Sequence, residues 1–275
     1  MTKRYLSLLL AAFLMLPQFC FAQDLKVMSF NVRMSSANDG TNSWALRYPA
    51  VGDMFKDQKP DIMGVQEALY EQIYFFDNNF KDYKYVGVGR EDGKKEGEFM
   101  AIFWNKKTVS LLDWGTYWLS ETPDKPSMGW DAACFRTATW ALMKDKKTGK
   151  KFYFVNTHLD HVGKEARRNG LKLVMDKIAA MNKDGLPLVL TGDFNVTPDD
   201  PALVDVDANM KSARKVAEKT DNTGTFNNWG KASSVIDYIY FTGFSSCPEY
   251  HTVTEKYAER KFVSDHYPIT AELNF

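Results

Sequence analysis

The stretch Leu188-Val189-Leu190-Thr191-Gly192-Asp193-Phe194-Asn195 places a carboxylate and an amide directly behind a short apolar run. An apolar run of this length predicts a buried β-strand, which we place over residues 187–191. Asp193 and Asn195 are two positions apart, so their side chains project the same way if the chain stays extended. Such a pair can fix a nucleophilic water and donate a hydrogen bond to a developing oxyanion. The alternative is a turn capped by the same two side chains.

Apolar segments of the same kind alternate with helical patterns on both sides of this stretch. Period-two alternation or short apolar runs predict strands over 25–30, 61–65, 85–89, 100–104, 137–143, 151–157, 187–191, 235–241 and 267–273. Helical spacing of apolar residues predicts helices over 44–56, 71–78 and 164–181. The sequence shows no internal repeat and no linker, so we expect one mixed α/β domain with many strands.

Polar residues recur at the ends of these predicted strands. They are Asn31, Gln66-Glu67, Asn156-Thr157-His158, Asp193 with Asn195, and Asp265-His266 before the last strand. Open α/β sheets bind their ligands at strand ends. The recurrence therefore predicts a single site assembled from several strands.

Glu67 is the candidate for the main ligand of a divalent cation. Mg²⁺ prefers oxygen ligands and is usually held by one or two carboxylates together with waters and substrate phosphate oxygens. Taken alone, a glutamate after a strand is more often a helix-start or surface residue. Only its place in the ordered set of strand-end residues favours a metal site.

Two of the four histidines, His158 and His266, lie in polar clusters at strand ends. Histidine titrates in the range that is useful for proton transfer and can stabilise charge on phosphoryl oxygens. A structural role is the alternative for each residue considered singly. A zinc hydrolase with His158, Asp160 and His161 as ligands is a further alternative, although this spacing is not a recognised zinc motif.

The ordered set of motifs resembles the endonuclease/exonuclease/phosphatase superfamily, which includes deoxyribonuclease-I-like nucleases, neutral sphingomyelinases and inositol-polyphosphate 5-phosphatases. The matching segments are Ser29-Phe30-Asn31, Gln66-Glu67, Asn156-Thr157-His158-Leu159, Gly192-Asp193-Phe194-Asn195, Ile236-Asp237-Tyr238-Ile239 and Ser264-Asp265-His266-Tyr267-Pro268. The resemblance implies a four-layered α/β sandwich, in which two mixed β-sheets pack face to face with helices outside.

The resemblance also implies roles for individual residues. The implied ligands of Mg²⁺, for which Mn²⁺ could substitute, are Glu67, Asn31 and Asp265. The residues implied in hydrolysis by direct attack of water on phosphorus are His158, Asp193, Asn195 and the pair His266–Asp237. His158 would be a phosphate-binding imidazole or the general acid. Substrate and phosphate contacts fall to Asn31, Arg136 and Glu98. For Glu98, which would partner His158, the nearby Glu91 and Glu96 are alternatives, and for Arg136 the alternative is a solvated strand-edge charge.

The N-terminus has the charged-then-apolar order of a secretory signal peptide. Lys3 and Arg4 precede a run of apolar residues shorter than the roughly 20 that span a bilayer, and Ala22 suits signal peptidase. We expect a signal peptide over residues 1–22, a domain over 23–275, and secretion or periplasmic export. A lipoprotein is less favoured because Phe19 precedes Cys20.

Composition limits the partners. Basic and acidic residues balance at 35 each, which argues mildly against a protein that grips long nucleic acid through a basic face. We therefore favour a small phosphate ester or a phospholipid headgroup as substrate, with a secreted nuclease and a non-catalytic binding protein on the same fold as alternatives.

The seven tryptophans form either a stacking floor for substrate or core packing. Cys134 and Cys247 either pair or stay buried, and nothing in the sequence indicates a protein partner or a later membrane span.

Overall fold

A computed structural model describes residues 24–275 of the chain, so the expected signal peptide lies outside the described residues. Its strands are β1 Asp24–Asn31, β2 Ile62–Ala68, β3 Tyr83–Val86, β4 Phe99–Asn105, β5 Val109–Trp118, β6 Thr137–Asp145, β7 Lys151–His158, β8 Leu188–Asp193, β9 Lys211–Ser212, β10 Asp237–Thr242, β11 Ser246–Thr252 and β12 Ile269–Asn274. Its helices are α1 Trp44–Gln58, α2 Tyr70–Asn79, α3 Lys164–Met181, α4 Val204–Asn209 and α5 Ala213–Val216. Within residues 24–275, none of the helices has the length and apolarity needed to cross a bilayer.

The strands form two six-stranded sheets with the same arrangement of parallel and antiparallel neighbours. The first has the order β11-β12-β1-β2-β4-β3 and the second the order β5-β6-β7-β8-β10-β9. In each sheet one parallel pair, β1–β2 or β7–β8, lies among antiparallel neighbours. Both sheets are therefore mixed, as predicted.

Three apolar cores separate four layers. Alternation along β1 directs Val27 into the core between the sheets and Met28 into the core under α1 and α2. Along β8, Val189 faces the central core and Leu190 faces the core under α3 and α4. Helices, two packed sheets and helices follow one another, which confirms the predicted α/β sandwich.

The strands that the sequence did not predict lie at sheet edges. β5 and β11 are outermost strands, and β9 is a two-residue edge strand. Leu112 and Trp114 of β5 are exposed, and Pro248 interrupts β11. An edge strand is buried on fewer sides, so its sequence carries a weaker hydrophobic pattern than a central strand.

A buried polar network ties the two sheets together beneath the strand ends. The Gln66 side chain donates from Nε2 to Asn156 Oδ1 at 2.7 Å, and Asn156 Nδ2 donates to the carbonyl oxygens of Val65 and Ala101 at 2.9 and 3.0 Å. These bonds pair the Asn156 amide and the Gln66 Nε2, which would be costly to bury unpaired. The strand-end motifs Gln66-Glu67 and Asn156-Thr157-His158 thus each combine a structural amide with a residue of the site.

Candidate active site

The site lies where the carboxyl ends of the two parallel strand pairs meet. Strands β1, β2, β7 and β8 end at this edge with Asn31, Glu67, His158 and Asp193. The antiparallel strand β10 begins there, with Asp237 in register with Asp193, and the 264–266 segment reaches the same edge just before β12. Between these elements is a cavity of about 490 Å³. Its lining residues are Arg33, Met34, Glu67, Arg90, Glu98, Cys134, Arg136, His158, His161, Asp193, Asn195, Phe226, Asn228, Ile236, Asp265 and His266.

Asn31 connects carboxylates from both sheets. Its Nδ2 donates to Glu67 Oε1 at 2.9 Å and to Asp193 Oδ2 at 3.0 Å. The backbone N–H of Met34 donates to the other oxygen of Glu67 at 3.2 Å. The Asn31 amide therefore holds the two carboxylates at a fixed separation across the joint between the sheets.

Several residues of the site have left-handed backbone conformations. Arg33, Glu67 and Asn195 have φ values of 55°, 61° and 52°. Non-glycine residues rarely adopt this region, and such strain concentrates at functional sites. At Glu67 it accompanies an irregularity in the β2–β4 pairing between Val65 and Ala68, which turns the carboxylate out of the sheet and into the cavity.

The guanidinium of Arg33 is a cation of the site that the sequence did not single out. It forms two hydrogen bonds with Asp39, at 3.0 and 3.1 Å, and lies 3.6 Å from Asp265 and 4.0 Å from Glu67. The hydrogen bond that Arg33 donates to Asp39, with the charges of Asp265 and Glu67 adding to it, raises the pKa of Arg33 against the opposing effect of burial. Its position two residues after Asn31 was the signal available in the sequence.

His266 forms an ion pair with Asp237. Its Nδ1 lies 2.9 Å from Asp237 Oδ2, and its Nε2 lies 3.7 Å from Asp193 Oδ2. Burial alone would lower the pKa of His266, but Asp237 and Asp193 together raise it to about 10. The Thr225 hydroxyl donates to Asp237 at 2.6 Å and fixes the orientation of this carboxylate. This raised pKa favours the protonated imidazolium form of His266 at neutral pH.

Asp193 is the most deeply buried carboxylate of the site. Burial first, and then the neighbouring Asp237, raise its pKa to about 7, against the lowering effect of His266. The backbone N–H of Asn195 donates to Asp193 Oδ1 at 2.9 Å. Asp193 is thus a stronger base than an ordinary carboxylate.

His158 also lies beside Asp193, and its surroundings favour the neutral imidazole. Its Nε2 lies 3.0 Å from Asn195 Nδ2 and 3.4 Å from Asp193 Oδ2. Burial, followed by the charges of Arg136 and Arg90, lowers its pKa well below the usual histidine value. Its Nδ1 is buried without a hydrogen-bond partner among the described residues.

Glu98 reaches the cavity, whereas its alternatives Glu91 and Glu96 are exposed outside it. Its Oε2 lies 3.9 Å from His158 Nδ1, which is too long for a hydrogen bond, and accepts from Arg90 Nη1 at 2.7 Å. Burial raises the pKa of Glu98 against the effect of Arg90. The structure therefore places Glu98 beside His158 but pairs it with Arg90.

Arg136 is buried and is not a solvated strand-edge charge. Its Nε donates to Asp160 Oδ2 at 3.3 Å and its Nη2 to His161 Nδ1 at 2.9 Å. Its Nη1 is buried without a partner among residues 24–275. An unpaired buried donor on the wall of a cavity is suited to an anionic ligand.

The donor set suits a hard divalent cation. Ligand atoms of Glu67, Asp193 and His266 lie within 4.8 Å of one another, and Asp265 adjoins them. The Asn31 amide faces the carboxylates with its Nδ2, while its Oδ1 accepts from the Arg33 N–H. Burial first, with Glu67 adding to it, raises the pKa of Asp265. Clustered buried carboxylates of this kind carry more negative charge than Arg33 and His266 offset, and carboxylate and amide oxygens are the ligands that Mg²⁺ prefers.

The zinc alternative does not fit the structure. Asp160 and His161 group with Cys134 rather than with His158. Both oxygens of Asp160 already accept hydrogen bonds, including those from Gly163 and Arg136, and His161 Nδ1 accepts from Arg136. A guanidinium that donates to two of the candidate ligands opposes a second cation there.

Neither the tryptophan floor nor a disulfide is found. Of the seven tryptophans, all in the described part of the chain, none lines the cavity, and Trp104 and Trp118 are core residues. The aromatic and polar lining supplied by Phe226 and Asn228 comes from a loop that carried no recognisable sequence signal. Cys134 and Cys247 are both free thiols.

Comparisons with known proteins agree with this geometry. Residues 28–266 match the Endonuclease/Exonuclease/phosphatase family. An endonuclease/exonuclease/phosphatase from Bacteroides vulgatus superposes with a TM-score of 0.87 at 38% identity, covering 92% of this chain and 99% of that one. The mannosyl-6-phosphatase of Bacteroides thetaiotaomicron superposes with a TM-score of 0.86 at 36% identity, covering 91% of this chain and 100% of that one.

A more distant similarity is to a probable RNA exonuclease of Saccharomyces cerevisiae, which is 25% identical over 200 residues, 65% of this chain and 39% of that protein. The family match spans most of the chain, and the two bacterial structures cover nearly all of it. The chain therefore belongs to the endonuclease/exonuclease/phosphatase family and is a phosphoester hydrolase.

Proposed function

We propose that this enzyme hydrolyses a small phosphate ester, foremost a sugar phosphate monoester, by direct attack of water in the presence of Mg²⁺. The observation that carries the proposal is the cavity itself, because it is lined both by buried carboxylates and by Arg136, whose buried Nη1 has no hydrogen-bond partner among the described residues. Its volume of about 490 Å³ is in the range of small-molecule sites. The similarity to a mannosyl-6-phosphatase at 36% identity supports a sugar phosphate over a polymer.

Glu67, Asp265 and Asn31 are the proposed ligands of the cation, with Mn²⁺ able to replace Mg²⁺. When bound, the cation would offset the negative charge of the phosphoryl group and orient it. Arg33 lines the same cavity and approaches both Glu67 and Asp265.

Asp193 is the proposed general base. Its raised pKa suits it to accept a proton from the attacking water, and Asn195 beside it can donate a hydrogen bond to a phosphoryl oxygen. As the water oxygen bonds to phosphorus, the bond from phosphorus to the leaving oxygen breaks. The proton gained by Asp193 balances the one that the leaving oxygen takes up from solvent.

The two histidines have different proposed tasks. His266, held as an imidazolium by Asp237, stabilises charge on the phosphoryl oxygens. His158 has a lowered pKa and is a poor proton donor, so we assign it to phosphate binding and not to general acid catalysis. Arg136 binds the same phosphoryl group through Nη1.

The test is a metal-dependent substrate screen. Enzyme stripped with a chelator would be assayed with Mg²⁺, Mn²⁺ or Zn²⁺ against hexose phosphates, aryl mono- and diesters, sphingomyelin, phosphoinositides and nucleic acids. We expect the highest kcat/KM for a small monoester with Mg²⁺ or Mn²⁺. Failure to hydrolyse any phosphoester, or activity restored by Zn²⁺ alone, would overturn the proposal.

Export is the second part of the proposal. We propose that residues 1–22 are removed and that the enzyme is secreted or periplasmic. Mass spectrometry of the protein expressed in a bacterial host that exports it should find Gln23 as the N-terminal residue. An intact N-terminus, or a lipid on Cys20, would contradict the proposed processing.

A further inference from the structure

His161 is an exposed residue on the wall of the cavity, and none of the proposed catalytic steps uses it. Its Nδ1 lies 2.9 Å from Nη2 of the buried Arg136. A guanidinium can only donate hydrogen bonds, so Nδ1 must be the acceptor. The neutral imidazole then carries its hydrogen on Nε2, which has no partner in the described part of the chain.

The backbone on both sides of His161 is rigidly held. Asp160 Oδ1 accepts from the N–H groups of Val162 and Gly163 at 2.9 and 2.7 Å, and its Oδ2 accepts from Ala133 and Arg136. Arg167 donates to the carbonyl oxygen of Asp160 at 3.0 Å. These bonds fix the turn, and with it the direction of the His161 side chain.

The 129–136 segment is locked against the same turn. Asp131 accepts from the backbone N–H of Ala166 at 2.7 Å and so caps α3 from outside the helix. A Cβ at Gly163 would lie 2.5 Å from Asp131 Oδ1, so only glycine allows the two segments to approach this closely. Arg136 and His161 therefore occupy fixed positions relative to each other.

Arg136 and His161 line the same cavity as His158 and Asp193. The two ring nitrogens of His158 lie 3.4 Å from Asp193 and 3.9 Å from Glu98. An ester whose phosphoryl group binds Arg136 would bring its alcohol part near the exposed His161, which is hydrogen-bonded to Arg136.

We infer that His161 recognises the alcohol part of the substrate by donating from Nε2 to a hydroxyl or ring oxygen near the phosphate. This rests on the proposed phosphoesterase function and gives the substrate class as a polyol or sugar phosphate. Arg136 binds the phosphoryl group, and His161, oriented by Arg136, donates a hydrogen bond to the oxygen-rich leaving group next to it. An aryl phosphate offers no such acceptor.

The experiment compares hexose 6-phosphate with phenyl phosphate in variants that separate the two ring nitrogens. In His161→Asn the amide oxygen can still accept from Arg136, but the distal donor is lost. In His161→Phe both are lost, and in His161→Gln an amide N–H can reach the former Nε2 position. The ratio of kcat/KM for the two substrates should fall about tenfold in the Asn and Phe variants, the worth of about one hydrogen bond, and recover partly in Gln.

Activity on phenyl phosphate should fall further in His161→Phe than in His161→Asn, since only the Phe variant removes the acceptor that holds Arg136 Nη2. His251→Asn, at a half-buried histidine bonded to Glu255 away from the cavity, is the matched control and should leave the ratio unchanged. An unchanged ratio in both His161→Asn and His161→Phe overturns the inference, as does the absence of any preference for the hexose ester in the original enzyme. Hydrolysis of phenyl phosphate in either case leaves the proposed phosphoesterase function standing.

Discussion

Glu67 illustrates at the scale of one residue how the site differs from an ordinary surface. Its carboxylate is buried with Asp193 and Asp265 and accepts hydrogen bonds from Asn31 and Met34. Like charges in a buried cluster repel, so these side chains destabilise the metal-free fold. A bound cation removes that repulsion, which gives metal binding a signature in stability as well as in activity.

Replacing Glu67 by Gln should therefore have opposite effects on the two states. We expect the Tm of the metal-free protein to stay the same or rise, because one buried negative charge is removed. The gain in Tm on adding Mg²⁺ should be largely lost, and kcat/KM should fall by about a hundredfold or more. Thermal unfolding with and without Mg²⁺, together with calorimetric titration of the metal, provides the measurements.

Glu218→Gln, at an exposed glutamate far from the cavity, is the control and should behave like the original protein. A Glu67→Gln variant that keeps the Mg²⁺-dependent gain in Tm would show that Glu67 is not a main ligand of the cation.

The sequence identified residues of the site where a polar side chain directly follows an apolar strand. Glu67, His158 and Asp193 stand out in this way, because strand ends point to one edge. Arg33 and His161 could not be assigned in the same way. Their importance depends on partners distant along the chain, Asp265 for Arg33 and Arg136 for His161, and pairings across loops leave no periodic signal.

At the scale of elements, the central strands that are buried on both faces were predicted from the sequence, whereas three edge strands were not. The central strands β1, β2, β7 and β8 are covered on both faces and were all predicted within a few residues of their bounds. The edge strands β5, β9 and β11 were not predicted, because half-exposed or very short strands mix polar and apolar residues freely. The site was predictable because it is built on the central strands.

The Asp160 turn is an element whose stability should depend on pH. Burial alone would raise the pKa of Asp160, but the N–H groups of Gly163 and Val162, with Arg136, lower it from 3.8 to about 2. A carboxylate with a lowered pKa in the folded state stabilises the fold above pH 4, and this contribution disappears as the pH falls toward 2. We expect Asp160→Asn to lose about 2 kcal/mol at pH 7 and about half of that near pH 3.

Urea unfolding of both proteins across this pH range measures the difference. Asp176→Asn, at an exposed α3 residue paired with Lys172, is the control and should change stability little at any pH. A deficit in Asp160→Asn that is as large at pH 3 as at pH 7 would mean that the ionised carboxylate is not the source of the stability.

At Gly64, in the contact between the sheets, even a methyl group does not fit. A Cβ at Gly64 would lie against Thr191 Oγ1 and 2.6 Å from Asn156 Oδ1, inside the polar network that joins β2 to β7. We expect Gly64→Ala to lower the free energy of unfolding by about 3 kcal/mol, since overpacking of this kind forces the backbone to shift. It should also lower kcat, because Glu67 and His158 lie at the ends of these two strands.

Gly185→Ala is the matched comparison for this substitution. Gly185 has a φ of +64° but open space around it. The free energy of unfolding of Gly185→Ala should therefore fall by about 1 kcal/mol, from the left-handed backbone alone. Urea denaturation of both variants gives the two values. If Gly64→Ala costs no more than Gly185→Ala, close packing between the sheets does not hold the site together.

The whole molecule brings two equivalent sheet edges together. Each sheet carries its parallel pair near the middle, and the sheets pack so that both sets of carboxyl ends open on the same side. Neither sheet alone supplies both the proposed metal ligands and the proposed base. Glu67 lies on the first sheet and Asp265 in the segment that leads into its strand β12, whereas Asp193 and His158 lie on the second sheet. The sequence indicated the family of this arrangement through the order of its motifs, whereas the substrate depends on loops that vary independently of the strands.

Charge balance over the whole chain leads to the last prediction. With 35 basic and 35 acidic residues, the molecule has no net charge with which to attract a polyanion. We therefore expect kcat/KM for a small phosphate monoester to change by only about twofold between 50 and 300 mM salt, because the charges that bind phosphate are buried and poorly screened. A nuclease would instead lose affinity for long DNA or RNA steeply over this range, since every neutralised phosphate contributes to the salt dependence. Initial rates on a hexose phosphate, a dinucleotide and a long RNA, measured across the salt series with Mg²⁺ held constant, separate the two cases. Faster hydrolysis of the RNA than of the hexose phosphate, with a steep loss of rate as salt rises, would assign the enzyme to the nuclease alternative.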